Sequence, residues 1–145
     1  MSYLPASLIL LADPSQTERE MYCEYLRWSG YRVELCENGD DVLARTVAVH
    51  PDLVCVSFVL GATTGAQVCA ALHADQRTAG IPIIILTTLT SEAQLAVARA
   101  SRCEALLVKP CLPEQLRREA ARLIARSQRA RRRDIDGPVA GAPRG

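Results

Sequence analysis

Short apolar runs alternate along the chain with segments whose apolar residues recur at helical spacing. Ser7–Ala12 (SLILLA) is a strand-length run. Asp13-Pro14-Ser15 follows with helix-start chemistry. Glu18–Trp28 then sets Met21, Tyr22, Tyr25 and Leu26 at helical spacing, ahead of Gly30, which suits a C′ stop. Tyr31–Cys36 alternates as a half-buried strand. Asn38-Gly39 marks a turn, and Asp40–Val49 predicts a second helix that Pro51 ends. Leu53–Leu60 (LVCVSFVL) is apolar except at Ser57, the pattern of a strand buried on both faces of a parallel sheet. Thr64-x-x-Gln67 reads as a capping box for a helix to about His73. Ile81–Leu86 is a fourth strand, with Pro82 near its start, where a missing donor is tolerated. Ser91-x-x-Gln94 is a second capping box, before a helix to about Ser101. Ala105–Val108 is a short fifth strand, and Pro113 at N1 opens a last helix that buries Leu116, Ala120, Leu123 and Ile124.

Five strand–helix units in succession predict an α/β fold: an open, doubly wound parallel sheet with helices on both faces and right-handed crossovers. The favoured arrangement is the flavodoxin-like (βα)5 order 2-1-3-4-5, with a crevice at the carboxyl ends of strands 1 and 3. Asp13, Ser57, Thr87 and Lys109 fall at the strand ends that face this crevice.

The 145 residues suit one domain, and 49% apolar with 23% charged is the mix of a globular one. No apolar run reaches the ~18 residues of a membrane span. The stretch from Met1 to Ala12 lacks the basic region of a secretory signal. Six scattered cysteines without C-x-x-C spacing, and only two histidines, make a zinc site improbable. They read as small buried hydrophobes in a reducing compartment, so the expected location is cytoplasmic, with a minor redox option at an exposed Cys111.

The net charge of +1 conceals a separation. Residues 1–116 hold eight basic and thirteen acidic side chains, a net −5, whereas residues 117–133 hold eight arginines against one glutamate, a net +7. The expected division is a domain over 1–127 and, over 128–145, an arginine-rich helix end followed by a flexible Gly/Pro/Ala tail from 134. The arginines read as a solvated helix face, as a docking element for an acidic protein surface, or as a nucleic-acid contact. The last is disfavoured because aromatic platforms and base-reading elements are missing. Lysine occurs once, at Lys109.

The segments LILLADPSQTER, SGYRVELCENGDDVL, HPDLVCVSFVLGATTG, IPIIILTT and ALLVKP, in this order and spacing, resemble the response-regulator receiver domain over about residues 7–127. In that family, acidic residues after strand 1 and an aspartate ending strand 3 hold Mg²⁺, and the strand-3 aspartate takes a phosphoryl group from a histidine kinase. The resemblance implies the corresponding pocket here at Ala12, Asp13, Ser57, Thr87 and Lys109, with a cis Lys109-Pro110 bond. Thr87 and Lys109-Pro110 match the family pattern. Ala12 leaves one acid of the strand-1 pair, Ser57 stands at the phosphoacceptor position, and Leu106 replaces the switch aromatic. The family's loop proline falls at Gly61, and the aspartate before its glycine is Thr64, ahead of Gly65.

A serine hydroxyl cannot form an acyl-phosphate and is a weak nucleophile without an adjacent base. Mg²⁺ calls for hard oxygens, and Asp13 with a carbonyl near Val59 is all that would remain, so Mg²⁺ binding is expected to be weak or absent and no cofactor is expected. Asp13 can instead cap the first helix or pair with Lys109. The resemblance thus implies a degenerate receiver, not an enzyme: a phosphorylation-independent module of a bacterial two-component-type pathway that acts by protein–protein contact. Its partner would be another signalling protein or a second copy, met through the face of helix 4, strand 5 and helix 5. Arg99, Arg102, Arg117, Arg118 and Arg122 lie on those elements. The alternatives are a phosphoacceptor on a non-standard residue, with Asp52 and Asp13 the nearest carboxylates, or a nucleic-acid-linked regulator working through the arginine segment.

Overall fold

The apolar runs become strands because parallel strands covered on both faces must be apolar on both. A computed structural model of the protein describes residues 6–88 and 91–136. Strands β1 (Leu8–Ala12), β2 (Arg32–Cys36), β3 (Leu53–Ser57), β4 (Ile83–Thr87) and β5 (Ala105–Val108) form one parallel sheet. Its order is β2-β1-β3-β4-β5, the doubly wound arrangement that the sequence predicts. The helices are α1 (Gln16–Trp28), α2 (Val42–Val49), α3 (Gly65–Ala74), α4 (Glu92–Ala100) and α5 (Pro113–Asp136).

The period of two along each strand divides the core in two. Ile9, Leu11, Leu53, Cys55, Ile84 and Leu86 point to one face and pack on Tyr22 and Leu26 of α1 and on Leu116, Ala120, Leu123 and Ile124 of α5. Leu10, Ala12, Val54, Val56, Ile83 and Ile85 point to the other and pack on Val42 of α2 and Val68, Cys69 and Leu72 of α3. The four α5 positions predicted to be buried are all in the core.

Several boundaries differ from the sequence expectation, each for a local reason. Helix α1 starts at Gln16, because Ser15 is the N-cap and its hydroxyl accepts from the Glu18 N–H. Met21, expected on the apolar face, is exposed, and Cys23 is buried in its place. Helix α2 starts at Val42: the Asp41 N–H donates to the Asn38 side chain at 3.2 Å, which holds residues 38–41 in a turn. The apolar run Leu53–Leu60 is not one strand. The sheet ends at Ser57, and Val59–Leu60 pairs with Thr63–Thr64 in a small antiparallel hairpin. Leu60 is apolar because it buries in the second core, not because the strand continues. Strand β4 begins at Ile83, after Pro82, whose carbonyl accepts from Val54.

Thr64 and Gln67 form the complete capping box. Ser91 accepts from the Gln94 N–H, but its own hydroxyl donates to the Gln94 side chain, so that box is half made. Gly30, at φ +102, provides the left-handed stop of α1. Helix α5 runs through position 127 to Asp136, so residues 134–136 are helical and not part of a tail. The remainder of the expected tail, 137–145, lies outside the described residues.

Candidate functional site

Level register brings the carboxyl ends of the central strands to one edge: Ala12 pairs with Val56, Ser57 with Leu86, and Thr87 with Val108. Asp13 and Lys109 follow immediately after β1 and β5. The Lys109 N–H donates to the Thr87 carbonyl at 2.7 Å. The Lys109-Pro110 bond is cis, as the resemblance implies. The Tyr22 hydroxyl of α1 donates to the Cys111 carbonyl at 2.9 Å and so anchors the loop beyond Pro110. The structure thus sets Ala12, Asp13, Ser57, Thr87 and Lys109 along one edge of the sheet.

Asp13 is closed off from solvent, its side chain 1% exposed. One carboxylate oxygen accepts from the Ser15 N–H at 2.9 Å and the other from the Lys109 ammonium at 3.0 Å. Lys109 also reaches the Glu18 carboxylate at 2.5 Å and the Ser57 hydroxyl at 3.4 Å. The three donors of its ammonium are therefore spent within the pocket. Burial by itself pushes the Lys109 ammonium down, but the hydrogen bonds and charges of Glu18 and Asp13 outweigh it and hold the group above the ordinary lysine value. Both sequence options for Asp13 have a counterpart: it pairs with Lys109 and also braces the start of α1, although Ser15 is the cap itself.

Glu18 is the site residue that the sequence reading missed. The available signal was Ser15-x-x-Glu18, which has capping-box spacing. Such a glutamate sits one turn into α1, above the β1 end, and here it turns to the lysine.

Mg²⁺ requires near-octahedral oxygen ligands, usually with one or two carboxylates free to serve. Asp13 has both oxygens engaged, Ser57 offers a neutral hydroxyl, and Ala12 offers nothing. These residues do not fit the metal. Among the described residues, no group of three or more His, Cys, Asp or Glu is arranged to hold one. The Ser57 hydroxyl accepts from the Lys109 ammonium at 3.4 Å, and a protonated ammonium is no base. Asp52, the other carboxylate considered, lies before β3 at the opposite edge of the sheet, where it accepts from the Leu8 N–H at 2.8 Å.

Leu106 is half-buried and packs against the second core. Arg99 and Arg102 are exposed at the end of α4 and in the turn after it. Arg118 pairs with Glu114 at 3.2 Å, and Arg122 pairs with Glu119. Arg117 lies on α5, where its partner Glu114 also takes the Tyr25 hydroxyl of α1. Hydrogen bonds from Arg117 and Tyr25 hold the Glu114 carboxyl well below the usual range. Cys111 is not exposed: it is 5% accessible, and burial pushes its thiol up, so the redox option fails there. Exposed apolar side chains that the sequence did not single out, Val97, Val108 and Leu112, lie on α4, β5 and the loop before α5.

The family model for the response regulator receiver domain matches residues 9–121. The DNA-binding response regulator MtrA of Mycobacterium tuberculosis is 29% identical over 131 residues, which cover 90% of this chain and 53% of that protein. The phosphate regulon transcriptional regulatory protein PhoB of Pseudomonas aeruginosa is 30% identical over 131 residues, 90% of this chain and 56% of that one. The chain thus spans about half the length of these curated relatives. Among solved structures, the signal receiver domain of a signal transduction histidine kinase from Syntrophus aciditrophicus superposes with a TM-score of 0.79 at 25% identity, covering 83% of this chain and 91% of that one. A chemotaxis response regulator of Vibrio cholerae superposes with a TM-score of 0.75 at 28% identity, covering 81% and 98%.

Proposed function

The chain belongs to the response regulator receiver domain family, and from that premise we propose that it is a phosphorylation-independent receiver, a signalling module that acts by binding another protein. The observation that carries this reading is the state of the pocket. Ser57 ends β3 where the family places its phosphoacceptor aspartate, and the one lysine is tied to Asp13 and Glu18. A hydroxyl cannot give the acyl-phosphate, and no donor of Lys109 is left for an incoming phosphoryl group. Leu106, packed in the second core, replaces the aromatic whose rotamer the family switch uses, which favours a single conformation of the α4–β5–α5 face. Val97, Val108 and Leu112 give that face an apolar component, with Arg99, Arg102, Arg118 and Arg122 around it.

The module joins a two-component-type pathway through a signalling protein or a second copy, in the cytoplasm. Among the described residues, no helix is long and apolar enough to cross a membrane. The test is an NMR titration with Mg²⁺ and beryllofluoride, with Ser57→Asp as the control. The expected result is an unchanged spectrum for the natural chain and metal-dependent shifts near β1 and β3 in Ser57→Asp. Labelling of the natural chain by acetyl phosphate, or beryllofluoride-dependent shifts in it, would overturn the proposal.

A further inference from the structure

The +7 segment lies on one helix, and its geometry is specific. Arg118, Arg122, Arg126, Arg129 and Arg133 follow at spacings of four, four, three and four residues, all exposed. At 3.6 residues per turn they fall within an arc of about 80° and run ~22 Å along α5. The arc lies opposite Leu116, Ala120, Leu123 and Ile124, so it faces away from the core. Arg118 and Arg122 are paired within the helix, whereas Arg126, Arg129 and Arg133 have no acidic partner among the described residues. Arg131 is on the other side, 3.8 Å from Asp52, and holds the helix end toward its own domain.

The opposite sign collects at the edge strand β2. Two adjoining grooves, of about 410 and 320 Å³, meet at Leu35, which is 37% exposed. Glu20 and Glu24 line the first, and Asp41 and Glu37, the latter 3.8 Å from Arg19, line the second. The two arginines at their rims are already engaged, Arg45 by Glu34 and Arg27 by the Val33 carbonyl at 3.2 Å. The β2 edge therefore offers carboxylates, an apolar side chain and a strand that has no neighbour on its outer side among the described residues.

From this complementarity we propose that the outer arginine face of α5 docks on the acidic β2 edge of a second copy of the chain, head to tail. A copy of this chain presents both halves of the contact. Its total charge of +1 opposes approach far less than the −5 body opposes a polyanion. Arginine stems cover Leu35 while their guanidinium groups reach the flanking carboxylates. The contact joins two different surfaces, so it leaves one of each free and builds a ring or an open chain of copies. It is independent of the phosphorylation reading and does not use the pocket, and it shares only Arg118 and Arg122 with the α4–β5–α5 face.

Sedimentation velocity of the full chain, at up to about 1 mM protein, tests it in low salt and again in about 0.5 M salt, where exposed charges are screened. The expected result is a weight-average mass at least twice that of the monomer in low salt, falling to the monomer in high salt. The triple reversal Arg126→Glu, Arg129→Glu and Arg133→Glu should be monomeric in low salt, as should the double reversal Glu20→Arg and Glu24→Arg. An equimolar mixture of the two should associate again, since each supplies the sign that the other has lost. Circular dichroism verifies that both variants fold. A natural chain that stays monomeric in low salt, or association that survives either reversal, overturns the proposal. So does a monomeric chain that instead binds duplex DNA or an RNA hairpin through the same arginines, which would make nucleic acid the partner.

Discussion

Lys109 is held by two carboxylates and a hydroxyl, and that arrangement is worth more broken than counted. Its side chain is 8% exposed and that of Asp13 1%, so removing one partner leaves a buried charge uncompensated. Lys109→Met should cost about 3 kcal/mol in urea denaturation, and adding Asp13→Asn should recover part of the loss. Because the folded ammonium sits above the ordinary lysine value, its contribution is complete below the unfolded value and disappears as pH rises through the folded one. The stability gap between the natural chain and Lys109→Met should therefore narrow on the alkaline side only above about pH 10. Tyr22→Phe tests the anchor of the same loop. The Cys111 carbonyl loses its buried donor, and about 1–2 kcal/mol of stability should go with it. Asp13, Thr87 and Lys109 were legible in the sequence, because each is a polar residue at the carboxyl end of an apolar run, whereas Ser57 interrupts such a run and was marked by the resemblance. Glu18 was not, because its role depends on how α1 leans over β1 and not on any local pattern.

The elements differ in how firmly they are held. Helix α4 buries only Ala98 among its nine residues, whereas α5 buries Leu116, Ala120, Leu123 and Ile124. The amides of α4 should exchange with solvent before those of α1 and α5 in a hydrogen-exchange time course. If α4 exchanges last, the packing described here is wrong for that helix. The start of α3 is held more tightly. A Cβ on Gly65 would meet the Ser57 carbonyl oxygen at 2.8 Å and the Phe58 Cα at 3.1 Å, both backbone atoms. Gly65→Ala should lower the urea midpoint by the equivalent of about 1–3 kcal/mol and shift the Ser57 amide resonance. Periodicity and capping residues identified all five helices. They did not locate the end of β3, because Leu53–Leu60 stays apolar for two unrelated reasons: sheet burial up to Ser57 and hairpin burial at Leu60.

At the scale of the whole molecule, six thiols are distributed through the two cores and the turns around them, and none is paired among the described residues. Burial pushes Cys36 and Cys69 up to about 11 and raises Cys55, Cys103 and Cys111 as well. Few thiolates are available near pH 8, so a disulfide reagent should label the native chain slowly, beginning at the half-buried Cys103, and all six should react at once in urea. Rapid labelling of Cys111 in the native chain would contradict its burial. The order of strands and helices, their apolar faces and the total charge were properties of the sequence itself, because burial on one or both faces writes a period of two, a period of 3.6 or an unbroken run directly into the chain. Only the tertiary structure decided which charges meet. It joined Lys109 to Glu18 across 91 positions, brought the Tyr25 hydroxyl of α1 to Glu114 of α5, and set an outward arginine stripe apart from an acidic strand edge. Such pairings depend on distances between elements distant in sequence, which folding sets and local pattern does not record.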